Sequence, residues 1–545
     1  MTTRKTQRKT PRRTRRPAPP AKKAAFKLTY ATMFDPPPEL HDRFEAALAR
    51  IKAGMGKDHT MLIGGKEVHS PESFDDRSPI NQDWLLGRFP KGTAEHARQA
   101  LTAARNAFPK WSGLGWKDRV RLMRKAADII DRRIYEIGAV MALEVGKSRM
   151  EALGDAAETA DLIRWSCDQM EAHKGYVVAM GKDPLKGYRS QNTSVLRPYG
   201  VWVVISPFNF PAALTGGPVG AALVAGNTVV MKPASDTPWT VRLLAECLRE
   251  AGLPGGVFNY VTGPGGTIGQ ELISHPMVDG ITFTGSFDIG MQIYRAFSQG
   301  RYPRPTILEM GGKNPSIVSR AADLDRAAIG IMRSAFGLQG QKCSANSRVY
   351  VERPVYDKFV DRLVTQTEKL VLGDPTERGV YLGPVVNATS YKQFQQFNEE
   401  LSEAGRFLTG GKIRSGGAFA KGFFCEPTIV AGVPVDHRLW KEEMFLPITM
   451  VHPVDSLDEA MALANDADYG LTAGFYGSQK QAAWFFENIR AGVTYANRPQ
   501  GATTGAWPGF QPFGGWKGSG SSGKNSGGHY YLPLYLHEQI HTLVR

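Results

Sequence analysis

One of the chain's four cysteines, at positions 167, 247, 343 and 425, lies in a setting that permits chemistry. Cys343 sits in Phe336-Gly337-Leu338-Gln339-Gly340-Gln341-Lys342-Cys343-Ser344-Ala345-Asn346-Ser347-Arg348, among small and flexible residues and outside any apolar strand pattern. A nucleophilic thiol needs room for a substrate carbon and backbone N–H groups that face a developing oxyanion. The competing reading is a half-buried cysteine that fills space. The four cysteines form no CxxC pair and no disulfide framework, which suits a reducing compartment and predicts a cytoplasmic protein.

The elements that must position this thiol follow from length and texture. A chain of 545 residues has room for two or more cores, and 42% hydrophobic content with 59 glycines and 35 prolines predicts an α/β enzyme with many turns. Residues 35–60 predict an amphipathic lead-in helix, with Leu40, Phe44, Ala47, Leu48 and Ile51 at helical spacing. Residues 61–67 predict a strand, and helical patterns follow near 94–108, 116–145 and 148–173. From Tyr199 short apolar runs at 201–206, 228–232, 257–261 and 280–283 alternate with helical segments, the pattern of a parallel, nucleotide-binding sheet. Residues 201–231 carry no charge and are long enough to span a bilayer, but Pro207, Pro211, Pro218, Asn209 and Asn227 divide them into strand, turn, helix and strand. A second α/β region begins beyond Glu309.

Net charge says little about the folded body. Eleven Lys and Arg residues precede the first acid within residues 1–27, so of the formal +15 only +4 belongs to the remainder. This proline-containing segment predicts a disordered basic tail over 1–34, with weak adhesion to nucleic acid or anionic surfaces as its alternative role. It lacks the apolar run of a secretory signal.

Gly263-Pro264-Gly265-Gly266-Thr267-Ile268-Gly269 misses the dinucleotide GxGxxG by one residue. Phe283-Thr284-Gly285-Ser286 instead follows a strand and opens a helix, so Gly285 permits close backbone approach and Ser286 sits where a helix N-terminus holds phosphate. Two other motifs are decoys. His537-Glu538-Gln539-Ile540-His541 matches the zinc-protease HExxH, but its surroundings favour a strand, so no metal is expected. Gly518-Ser519-Gly520-Ser521-Ser522-Gly523-Lys524-Asn525 approaches a P-loop, yet Asn525 replaces the magnesium-ligating Ser/Thr.

Ser206-Pro207-Phe208-Asn209-Phe210-Pro211, Leu308-Glu309-Met310-Gly311-Gly312-Lys313-Asn314-Pro315 and the Cys343 stretch together resemble the aldehyde dehydrogenase superfamily, from about residue 57 to the C-terminus. The resemblance implies a Rossmann-type cofactor domain (35–185 and 199–308), an α/β catalytic domain (309–520) and a small oligomerisation β-flap (186–198 and 529–545). It implies Cys343 as nucleophile, Asn209 with the Cys343 N–H as oxyanion donors, and Glu309 as the base that activates water. It also implies cofactor contacts at Ser206, Lys232, Ser235, Gly285, Ser286, Glu443 and Phe445. Ser235 stands where many members have an acid for the ribose hydroxyls, so NAD is expected with NADP possible, and Leu446 replaces the family's usual glycine.

Within that superfamily the chain resembles the L-glutamate γ-semialdehyde (1-pyrroline-5-carboxylate) dehydrogenases, through Phe208, Gly340–Ser344, and Thr504-Gly505-Ala506 before Gln511-Pro512-Phe513. Hydroxyl and backbone N–H groups of Ser344 and Thr504, Gly505 and Ala506 suit a substrate carboxylate; Phe208 and Phe513 suit its aliphatic stretch; Glu158 matches a pocket position. Asn346 in place of that group's usual cysteine, a longer 497–502 segment and Trp507-Pro508 depart from the pattern. They leave another semialdehyde or an aromatic aldehyde as the first alternative. The second is a cofactor-binding or structural protein that has lost catalysis. The expected partners are a small aldehyde and a second copy of the chain, with no membrane.

Overall fold

The computed structural model describes residues 26–184 and 186–545. Two seven-stranded sheets form its frame. The first runs in the order Thr306–Glu309, Gly280–Thr284, Val201–Ile205, Thr228–Lys232, Phe258–Tyr260, Met61–Ile63 and Lys66–Val68. Its first five strands are parallel, and the last two join as an antiparallel edge. Side chains of 201–204 alternate between two cores: Val201 and Val203 face one, Trp202 and Val204 the other. Helices on both faces bury every residue of the Thr228–Lys232 and Gly280–Thr284 strands. Chain order reverses between the Val201 and Gly280 strands, so a crevice opens at their carboxyl ends, beside Ser206 and Gly285.

The second sheet contains Asn314–Val318, Asn346–Glu352, Ile448–Val454, Thr472–Tyr476 and Val493–Ala496 in parallel, with Thr428–Ala431 parallel and Arg406–Thr409 antiparallel at one edge. Glu309 ends the edge strand of the first sheet, and Asn314 opens a central strand of the second. The base expected from the sequence thus stands where the chain crosses from one sheet to the other.

The uncharged stretch 201–231 is strand, turn, helix and strand, and among the described residues no helix is long and apolar enough to cross a membrane. Its helix, Ala213–Ala225, lies close against helix Arg149–Ala172 because glycines make room. A Cβ on Gly216 would come within 2.3 Å of Thr159 and one on Gly220 within 2.8 Å of Ile163. The lead-in helix is Pro38–Ala53, with Leu40, Phe44, Ala47 and Ile51 buried.

Four expectations need correction. The single strand expected over 61–67 is two antiparallel strands, Met61–Ile63 and Lys66–Val68, because Gly64 and Gly65 at positive φ turn the chain between them. The helical pattern 116–145 is two helices, Trp116–Arg132 and Ile134–Val145, separated at Arg133. The disordered tail cannot extend to residue 34: Leu28, Tyr30 and Met33 are buried, because apolar residues reappear as soon as the basic run ends. Residues 1–25 of that tail lie outside the described residues. The flap is smaller at its C-terminal side, since Tyr531, Leu532 and Tyr535 belong to the main core and only Leu536–Val544 pairs with Ser190–Pro198, a third strand being Val177–Ala179. His537 and His541 lie on that strand, and His537 packs on Tyr199 with ring centroids 4.4 Å apart.

Candidate active site

Helix Leu324–Phe336 ends just before the thiol, and the chain then enters an unusual turn. Leu338, Gln339 and Gly340 all have positive φ (50°, 56° and 68°), a conformation that costs energy for the two side-chain-bearing residues. Contacts impose it. The Gln339 amide donates to the carbonyls of Gly146 (2.9 Å) and Pro384 (2.5 Å), and a Cβ on Gly340 would fall 2.2 Å from the Leu446 carbonyl oxygen. Beyond the turn, Asn314 Nδ2 donates to the carbonyls of Cys343 (2.7 Å) and Ala345 (2.9 Å), and Thr503 Oγ1 donates to Ser344 O (2.7 Å). Buried Asn209 donates from Nδ2 to Gln341 O at 2.9 Å, so the expected oxyanion donor also braces the nucleophile's loop.

Cys343 is half-buried. Burial first, then the carboxyls of Glu443 and Glu309, push its thiol above the ordinary range, while the N–H groups of Ser344 and Cys343 act the other way. Glu309 is buried, its Oε2 has no partner, and burial alone holds its carboxyl well above the usual range. An ion pair with Lys313 is not formed: Lys313 Nζ is itself partnerless, lowered to about 7 by burial and then by Arg348. Cys343 and Glu309 line one chamber of about 390 Å3 with Thr284, Met310, Phe513 and Tyr531. The near-P-loop fixes one wall of it. Ser521 N–H donates to Leu308 O (3.1 Å), the Leu308 N–H donates to Ser521 Oγ (2.9 Å), and Met310 N–H donates to Ser519 O (2.9 Å), so the Gly/Ser segment is spent on the strand that ends at Glu309.

Of the residues expected at a dinucleotide, Ser206, Lys232, Ser235, Gly285 and Ser286 lie at or just beyond the carboxyl ends of first-sheet strands, and Glu443 and Phe445 come from the segment before the second-sheet strand Ile448–Val454. Ser206 follows its strand and accepts from Thr215 Oγ1 at 2.9 Å. Lys232 ends the next strand, donating to Pro233 O (2.9 Å) and lowered by burial to about 8; Ser235 is exposed just beyond. Gly285 turns tightly, since a Cβ there would lie 2.4 Å from the Phe283 ring. Ser286 is the exposed N-cap of helix Phe287–Ser298, and its hydroxyl caps nothing, which leaves a hydroxyl and a helix N-terminus for phosphate oxygens. Glu443 accepts from Gly312 N–H at 2.8 Å, and burial raises its carboxyl to about 7. Phe445, at φ 57°, meets Phe208 edge-on with centroids 5.8 Å apart. These features fit a dinucleotide.

A second cavity of about 860 Å3 opens on the other side of Cys343. Ser344, Thr504, Gly505, Ala506, Phe513 and Glu158 all line it. Arg498 holds the 504–506 turn by donating to the carbonyls of Thr504 (2.5 Å) and Gly505 (3.1 Å), and the N–H groups of Gly505 and Ala506 meet no acceptor among the described residues. Phe208 does not line this cavity. It is turned onto Phe445, and Phe210, on the far side of Asn209, takes the place expected of it. Asn346 lies beneath the loop, donating to Ser316 Oγ at 2.8 Å, outside both cavities.

The aldehyde dehydrogenase family pattern matches residues 67–540. The chain belongs to the aldehyde dehydrogenase family. A 1-pyrroline-5-carboxylate dehydrogenase of Geobacillus sp. (strain WCH70) is 38% identical to it over 506 residues, 92% of this chain and 95% of that one. The crystal structure of 1-pyrroline-5-carboxylate dehydrogenase from Thermus with bound NAD superimposes with a TM-score of 0.89 at 34% identity, covering 95% of this chain and 99% of that one. Proline utilization A from Bdellovibrio bacteriovorus, inactivated by N-propargylglycine, gives 0.87 at 36% identity over 92% of this chain, which spans only 51% of that longer protein.

In this aldehyde dehydrogenase, sequence reasoning missed several wall residues. Tyr30, Met33 and Phe34 come from the segment taken as tail, where basic composition masked a short apolar run. Lys342 and Glu151 also line the cavity as a buried ion pair (2.5 Å). Nothing in their spacing, 191 residues apart, announces it.

Proposed function

We propose that this dehydrogenase oxidises L-glutamate γ-semialdehyde to L-glutamate with NAD or NADP. The single observation that carries the reaction is that Cys343 and Glu309 share one chamber while Cys343 also faces the cavity lined by Ser344 and the 504–506 turn. The Cys343 thiol gives its proton to solvent, its sulfur attacks the aldehyde carbon, and the resulting oxyanion takes hydrogen bonds from the Asn209 amide and the Cys343 N–H. When bound along Ser206, Lys232, Ser235, Gly285, Ser286, Glu443 and Phe445, NAD(P) supplies the acceptor for the hydride that leaves this carbon. Cys343 then carries a thioester. Glu309 takes a proton from water, the hydroxide attacks the thioester carbon, and the acid leaves as Cys343 regains its proton. Burial disfavours the charged form of both groups, so turnover is expected to rise toward alkaline pH as Glu309 ionises.

Substrate anchoring follows the same geometry. The N–H groups of Gly505 and Ala506, which meet no acceptor among the described residues, suit the α-carboxylate together with the Ser344 hydroxyl, and Glu158 suits the α-ammonium. The aromatic wall of Phe210, Trp507 and Tyr30 supports a second reading, an aromatic aldehyde. Steady-state rates on a panel of glutamate γ-semialdehyde, aliphatic aldehydes and benzaldehydes, each with NAD and with NADP, separate the two. The first reading expects the semialdehyde to have the highest kcat/KM; no turnover of it beside fast benzaldehyde oxidation overturns that reading.

The Val177–Ala179, Ser190–Pro198 and Leu536–Val544 sheet leaves Val177, Val178, Ile540, Leu543 and Val544 exposed. A small sheet with apolar residues in the open and a free edge suits pairing with a second copy. Light scattering should give at least a dimer, and a monomer at micromolar concentration would overturn this assignment.

A further inference from the structure

The segment Lys27–Phe34 precedes every regular element among the described residues, yet it closes one side of the substrate cavity, to which Tyr30, Met33 and Phe34 contribute. It has its own fold. Thr32 and Met33 N–H groups donate to Thr29 O (each 3.0 Å), and Thr32 Oγ1 donates back to Lys27 O (2.7 Å), which makes a compact turn. Tyr30 lies at its centre, 8% exposed, edge-to-face with both Phe210 (centroids 6.1 Å, 88°) and Trp507 (5.4 Å, 73°). Its hydroxyl donates to Glu158 Oε2 at 2.9 Å.

Two further observations tie this segment to the pocket. Asp161 Oδ2 receives the Trp507 indole N–H (3.0 Å) and the Lys27 ammonium (2.8 Å) together, so one carboxylate joins the segment to the aromatic wall. Gly154, inside helix Arg149–Ala172, leaves space that Tyr30 occupies: a Cβ there would lie 2.9 Å from the Tyr30 ring. Glycine weakens a helix interior, so its presence at this contact marks a ring held against the helix backbone. Phe34 is fixed in turn beneath the Arg333 guanidinium, 3.7 Å from its ring centroid.

We propose that Lys27–Phe34 is a specificity-determining wall, with Tyr30 setting how long an aldehyde the pocket accepts and its hydroxyl orienting Glu158 toward a substrate's polar end. The first half rests on this cavity being the aldehyde pocket of the reading above, whichever aldehyde it takes; the second half rests on the amino-bearing substrate. The Glu158 carboxyl, raised to about 8 chiefly by burial, gains from the Tyr30 hydroxyl a donor that favours its ionised form. The ring is the stop, and the hydroxyl is the guide.

The test measures kcat and KM in the full-length chain for straight-chain aldehydes from propanal to decanal and for glutamate γ-semialdehyde. Each additional buried methylene strengthens binding by about fourfold. Tyr30→Ala, which opens room for two or three more, is therefore expected to raise the octanal-to-propanal ratio of kcat/KM by at least about tenfold, mainly through KM. Tyr30→Phe keeps the ring and should hold that ratio near the wild-type value while raising KM for the semialdehyde several-fold. Phe34→Ala, at a partly exposed position, provides a second opening of the wall should Tyr30→Ala not fold, and thermal unfolding reports which case applies. A length ratio within twofold of wild type in each folded opening variant overturns the wall. An unchanged semialdehyde KM in Tyr30→Phe overturns the orienting role. Absence of semialdehyde turnover in the wild type removes the substrate reading and with it the orienting role, while the length series still decides the wall.

Discussion

The Cys343 side and the aromatic wall of the cavity beside it are built by different means. Around Cys343 nearly every constraint falls on backbone: Asn209, Asn314 and Thr503 hydrogen-bond to loop carbonyls, and Gly340 and Gly312 leave no room for a Cβ. Along the aromatic wall the constraints fall on side chains from distant segments, with Tyr30 against Glu158 and Trp507, and Phe210 below the Lys147 ammonium (3.7 Å from the ring centroid). Lys147 is in turn paired with Asp155 at 2.7 Å, both wholly buried, and burial drives each toward its neutral form. The reacting end is thus held through its backbone, whereas the aromatic wall is held through side-chain contacts.

That contrast has measurable edges. The largest effect belongs to the reacting end: Cys343→Ala is expected to lower kcat by about 10⁴-fold or more, with dinucleotide binding retained by fluorescence titration. Asp155→Ala strips the partner from buried Lys147 and the acceptor from the Ala213 N–H (2.7 Å). Chemical denaturation should show a loss of about 3–5 kcal/mol, far above the effect of an exposed pair such as Arg353–Asp455. Asn209→Ala should cost about 10²–10³-fold in kcat by removing an oxyanion donor and the brace on Gln341. Smallest is the change at Glu158. Its carboxyl is raised to about 8, so it is protonated below that pH and ionised above it. KM for an amino-bearing aldehyde should accordingly fall as pH rises from 7 to 8.5, and Glu158→Gln should raise KM about tenfold at pH 8.5 and flatten the profile. A pH-independent KM in the wild type would place the ammonium elsewhere.

The same division explains what the sequence could reveal. Cys343, Glu309 and Asn209 each stand in a short contiguous motif, although the loop carbonyls around them are braced from afar by Asn314, Thr503 and the Ser519–Ser521 segment, and the parallel sheet that carries Glu309 shows in the apolar runs of 201–283. The aromatic wall has no such signature. Tyr30 and Trp507 meet across more than four hundred residues, and only folding joins them. Phe208 and Phe210 flank Asn209 equally in the sequence, and nothing local says which one faces the substrate. Pro109, inside helix Ala94–Gly113, shows similarly that a strong local breaker yields to packing, since Trp111 two residues later is buried in the core.

Covalent catalysis through Cys343, with Glu309 releasing the product, is the claim on which the rest depends. Glu309→Gln preserves the size of the side chain and removes the proton acceptor. Rapid-quench mass spectrometry of this variant, mixed with aldehyde and NAD, should find the Cys343 peptide heavier by the acyl group, with one burst of NADH per site and slow turnover afterwards. No adduct on Cys343, with acid released at the wild-type rate, would contradict it.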